Sequence, residues 1–94
     1  MKNVKTEETD ILFEAILSLK NIDECRRFFD DLCTRKEIGD MAQRLTIAQM
    51  LLNDGRYIDI SEKTGVSSAT ISRVGRCIMR NDSGYVKVLN KIGK

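Results

Sequence analysis

Proline, histidine and tryptophan are absent from the 94 residues, and glycine occurs six times. A chain without proline carries no obligatory helix break, and β-branched alternation is also scarce, so the composition predicts helices joined by short turns. The fold class expected is all-α. Long apolar runs are missing too: the longest are triplets such as Ile11-Leu12-Phe13 and Met50-Leu51-Leu52, against the ~18 residues that suggest a membrane span. The first residues, Met1 to Lys5, lead into acids rather than into the apolar stretch of a secretory signal, which predicts a cytoplasmic protein without membrane attachment. Cysteine is present three times, as Cys25, Cys33 and Cys77, without CxxC spacing and without histidine to complete a metal site. No metal or cofactor is expected. Lacking histidine, a glycine-rich phosphate loop and a recognisable carboxylate pair, the chain also gives no sign of an enzyme.

What is present is a single domain's worth of sequence, residues 1–94, with charge unevenly placed. Residues 1–34 carry five basic and eight acidic side chains, residues 35–55 three of each, and residues 56–94 eight basic against three acidic. A basic carboxy-terminal half is the asymmetry expected of a face that meets polyanion. A domain this small buries little surface alone, so a second subunit covering apolar area is a natural source of stability.

Six helical segments can be read. The first, about Glu7 to Lys20, sets Ile11, Leu12, Ala15, Ile16 and Leu19 on one stripe. The second, about Asp23 to Cys33, places Cys25, Phe28, Phe29 and Leu32 inward, with Asn21 or Asp23 as cap. The third opens on Thr34-Arg35-Lys36-Glu37, a possible capping box, and stops where Gly55 can supply a left-handed residue. Its stripe of Ile38, Met41, Ala42, Leu45, Ala48 and Leu52 is joined by Ile47, Met50 and Leu51 on another side. A helix apolar on two sides needs two neighbours, one of which can belong to another subunit. The fourth segment, about Ile58 to Thr64, ends at Gly65. Ser67 or Ser68 caps the fifth, which runs to about Arg80, and after the turn Asp82-Ser83-Gly84 a sixth spans about Tyr85 to Ile92.

The stretch from Tyr57 to Arg76 has the pattern of a helix-turn-helix. Two helices crossing steeply through a tight turn need a small residue where they nearly touch, a glycine at the turn and a miniature apolar core. Ser61, Gly65 and the set Ile60, Val66, Ile71 and Val74 meet those needs. At 100° per residue, Ile71, Val74, Gly75 and Ile78 share one side of the fifth segment, and Ala69, Arg73, Arg76 and Arg80 share the other. No acid lies on that segment. Arginines pair with guanine edges or phosphates, and Ser67, Ser68, Thr70 and Ser72 offer hydroxyls to the same partners. Arg56 and Lys63 are candidates for backbone phosphate, because the first helix of such a pair crosses the DNA backbone. A helix-turn-helix module used for protein or RNA contacts is the alternative; it would favour an acidic face or stacking aromatics.

On Leu32-Cys-Thr-Arg-Lys-Glu37, Arg44, Leu51-Leu52, Gly65 and Ala69-Thr-Ile-Ser-Arg73, the chain resembles the tryptophan repressor superfamily, in its YerC/YecD group of small bacterial regulators. The resemblance covers most of the chain. It implies a six-helix subunit, an intertwined homodimer and repression at a palindromic operator in double-stranded DNA. It also implies an effector pocket between the long helix and the recognition helix, to which Arg44 and Arg73 correspond. Val74 stands where the repressor has glycine and Cys77 where it has serine, and the connection before the helix-turn-helix is one residue longer. A β-branched Val74 is expected to fill that pocket and to exclude tryptophan as effector.

Overall fold

A computed structural model describes residues 4–94, with the side chains of residues 6–94. All regular structure in them is helical: α1 (Val4–Leu17), α2 (Ile22–Leu32), α3 (Arg35–Leu52), α4 (Tyr57–Thr64), α5 (Ser68–Ile78) and α6 (Gly84–Lys91). None of these helices is long and apolar enough to cross a membrane. The chain divides into two compact units, one reaching to Arg35 and one spanning Lys36–Lys94.

In the amino-terminal unit, α1 begins before Glu7 and stops at Leu17, earlier than the apolar spacing suggests. Its last turn is closed by the Ser18 hydroxyl, which donates to the Ala15 carbonyl at 2.6 Å. Asn21 caps α2 by accepting from the Glu24 amide at 2.9 Å, while the Glu24 carboxylate accepts from the Lys20 amide at 3.0 Å. The two bonds satisfy donors that a helix start leaves open. Phe28 and Phe29 meet edge to face, 5.7 Å between centroids. No described side chain of this unit is fully buried. Ile11 and Leu32, expected inward, are exposed, because two short helices cannot enclose the apolar arc they carry.

The larger unit has a core. Ile47 and Ala48 of α3, Ile60 of α4, Ile71 and Val74 of α5 and Leu89 of α6 are all at most 2% exposed. Burial of the isoleucine, valine and leucine side chains among them stabilises by roughly 1.5–3 kcal/mol each. Of the apolar residues of α3, Ile47 and, from the first stripe, Ala48 face this core, with Met50 and Leu51 packed against it. Met41, Ala42, Leu45 and Leu52 are left exposed. The end of α3 differs from expectation: the left-handed residue is Asp54 (φ 63°), not Gly55. The Asp54 amide donates to Leu51 O at 3.2 Å and the Gly55 amide to Met50 O at 2.9 Å, the paired bonds of a Schellman ending. Gly55 is needed for space, since a Cβ there would lie 2.7 Å from Met50 O.

Candidate nucleic-acid interface

The turn between α4 and α5 is held by bonds that span few residues. Gly65 is left-handed (φ 71°) and its amide donates to Ser61 O at 2.8 Å. A residue with a Cβ would be strained there. The Ser61 hydroxyl donates to the Val66 carbonyl at 3.0 Å, so Ser61 fixes the turn as well as leaving room for it. Thr64 Oγ1 donates to Ile60 O at 2.7 Å and accepts from the Val66 amide at 3.2 Å. These side chains satisfy carbonyls and amides that the change of direction removes from the helical ladders.

Ser67, not Ser68, caps α5: its Oγ accepts from the Thr70 amide at 3.3 Å and lies 3.2 Å from Thr70 Oγ1. Those two hydroxyls are engaged with each other. Ile71, Val74 and Gly75 turn the opposite side of α5 into the core. Ser68, Ala69, Arg73 and Arg76 are exposed, and Ser72 is half-buried. Arg80 is exposed too but lies beyond the end of α5 at Ile78, so it leaves the helical row in which periodicity had set it. Lys63 is exposed in the last turn of α4. Arg56 precedes α4 and pairs with Asp59, Nε to Oδ2 at 3.1 Å. An exposed pair of this kind is weak and can be exchanged for phosphate.

A cleft of about 270 Å³ opens beside α5, lined by Arg44, Thr70, Arg73, Val74, Cys77 and Tyr85. The four residues expected at an effector pocket do come together. Val74 is 1% exposed and packed with Ile71 and Ile47 in the core cluster, and the cleft lies beside it. A second cleft of about 300 Å³, bounded by Asp40, Gln43, Arg44, Gly65, Val66 and Thr70, shares Arg44 and Thr70 with the first. Gln43 Nε2 donates to Thr64 O at 3.4 Å across that region. Sequence periodicity did not single out Tyr85 as a wall of the first cleft. It also gave no sign that the Tyr57 hydroxyl lies against Gly75 of α5. The first depends on residues far apart in the chain, the second on the packing of one side chain across the helix pair.

A glycine-turned helix pair with an acid-free second helix, inside an all-helical subunit, defines a helix-turn-helix protein of the DNA-binding regulator class. The chain belongs to the Trp repressor family, whose model, described as Trp repressor protein, matches residues 7–92. It is 48% identical to the YerC protein of Bacillus subtilis (strain 168) over 89 residues, which cover 95% of this chain and 86% of that protein. A TrpR-like protein from Eubacterium eligens superposes with a TM-score of 0.84 at 47% identity, covering 98% of this chain and 92% of the other. A candidate Trp repressor from Staphylococcus aureus gives a TM-score of 0.85 at 42% identity, covering 93% and 87%.

Proposed function

We propose that this protein is a cytoplasmic, sequence-specific regulator of transcription that binds double-stranded DNA as a homodimer and represses from a palindromic operator, the whole chain serving as one DNA-binding domain. The observation that carries this reading is the exposed side of α5, where Arg73 and Arg76 follow Ser68 and Ala69 with no acid on the helix. The amino-terminal residues of such a helix approach base edges, and the arginines add bidentate or phosphate contacts. Lys63, Arg56 and Arg80 then serve the backbone, while Ser67 and Thr70 order the helix start and Ser72 borders the reading face. Homodimerisation is supported by the exposed stripe Met41, Leu45 and Leu52 on α3 and by Ile11, Phe13, Leu17 and Ile22 in the other unit. Half-sites are expected roughly 34–36 Å apart, the spacing of helix-turn-helix dimers, the tryptophan repressor among them.

The test is retardation of duplex DNA selected from the organism's own genome. Affinity is expected to fall with salt, by a slope of about −0.9 per neutralised phosphate. Arg73→Ala and Arg76→Ala are each expected to weaken binding by about 1–3 kcal/mol if they read bases, or to reduce the salt slope by about one if they hold phosphate. Two variants that bind as wild type does would refute the assignment of α5. The cleft between Arg44 and Arg73 is the effector site of this reading. Two guanidiniums and no lining acid suit an anionic ligand. With Val74 and Cys77 on its wall, an effector other than tryptophan is expected.

A further inference from the structure

We propose that Tyr57 is a positioning residue that seats the recognition helix: its side chain is a knob held in a notch at Gly75, and this contact sets how α5 lies on α4. The inference rests on the DNA-binding reading above.

Gly75 stands inside an eleven-residue helix, at α5 (Ser68–Ile78), where glycine is the poorest helix former after proline. Backbone conformation does not require it, because only Gly65 and Gly93 among the glycines have positive φ. Space does. A Cβ on Gly75 would overlap the Tyr57 hydroxyl oxygen, whereas it would meet Tyr57 Cζ at 3.4 Å and Leu51 Cδ1 at 3.8 Å, both ordinary contacts. One atom, the hydroxyl at the end of the Tyr57 side chain, which is itself 46% exposed, is thus what a Cβ at Gly75 would have to displace.

The location of the pair gives it leverage. Tyr57 is the first residue of α4, and the preceding Arg56 makes no side-chain cap bond. Gly75 lies between Val74, which is 1% exposed in the core, and Arg76 on the reading face. Any lift of α5 at Gly75 moves Arg76 directly and Arg73 within the same turn. Base readout depends on placement to a fraction of an ångström, while attraction to phosphate tolerates more. A displaced α5 should therefore lose sequence preference before it loses affinity for DNA in general.

The experiment uses the full chain, a duplex that the wild type enriches from a random-sequence pool, and the unselected pool itself. Gly75→Ala is expected to lower affinity for the enriched duplex by about tenfold, the size of one mismatched base pair, with binding to the unselected pool little changed. Adding Tyr57→Phe removes the overlapping oxygen, so Tyr57→Phe/Gly75→Ala is expected to regain the enriched duplex to within about threefold. Wild-type discrimination by Gly75→Ala alone would overturn the proposal, and so would a folded double variant that regains nothing. If the wild type enriches no sequence, the DNA-binding reading fails, and thermal melting then decides whether the notch exists. Gly75→Ala should melt below wild type and the double variant above Gly75→Ala; equal melting of the two variants overturns it.

Discussion

Asp54 holds a left-handed backbone (φ 63°), a conformation that costs an L-residue with a Cβ about 1–2 kcal/mol, less for Asp than for most. Its neighbour Gly55 has no such backbone need but lies against Met50 O. The two residues should therefore respond oppositely to substitution. Asp54→Gly is expected to raise stability by about 0.5–1 kcal/mol, the relief of strain being offset in part by the greater freedom of glycine in the unfolded chain. Gly55→Ala is expected to lower it by about 1–3 kcal/mol, because the obstructing atom is backbone and cannot swing aside. Urea midpoints of both variants check the pair; a stabilising Gly55→Ala would mean that Met50 O does not crowd that position. The sequence could not order these roles, since Asp and Gly are both common where a helix stops. Gly65 was legible because the helix-turn-helix pattern around it leaves one position for a left-handed residue.

At the scale of elements, α3 is the informative case. Its apolar residues form two stripes, and periodicity reveals both without saying which one the chain covers. The answer needs the other helices: Ile60, Ile71, Val74 and Leu89 close over Ile47 and Ala48. The stripe through Met41, Leu45 and Leu52, each 37–40% exposed, is then free for a second subunit. Leu45→Glu is expected to leave helicity near wild type and to weaken dimer association by at least about tenfold, since a charge buried in an apolar interface has no partner. Sedimentation at micromolar concentration reads the change. A wild type that sediments there as a folded monomer would instead remove the dimer from the proposed function. The helix-turn-helix was readable because its determinants lie within 20 residues of one another. The two clefts were not, because each joins segments whose proximity is set by packing, and the Tyr57 contact, though inside that stretch, was not, because it depends on where one side chain lies.

For the whole molecule, charge and cleft together define how it would be controlled. On the proposed function, the surplus of basic residues in 56–94 would draw the chain towards DNA of any sequence, so regulation would act on the geometry of α5. The clefts that share Arg44 and Thr70 adjoin that helix, and a ligand that bound one placement of it better than another would bias its position. Millimolar tryptophan is expected to change operator affinity less than threefold, as the Val74 and Cys77 wall differs from the repressor's own; a tenfold gain, ~1.4 kcal/mol, would restore tryptophan as the effector. The turn that joins α4 to α5 has a consequence of another kind. Its bonds, Gly65 to Ser61, Thr64 to Ile60, Ser61 to Val66 and Ser67 to Thr70, all join residues no more than five apart. Loops that short close on a timescale of roughly 10–100 ns, so the turn is a local, fast-closing element, whereas the short helices it joins gain their buried positions only as α3 and α6 close on them.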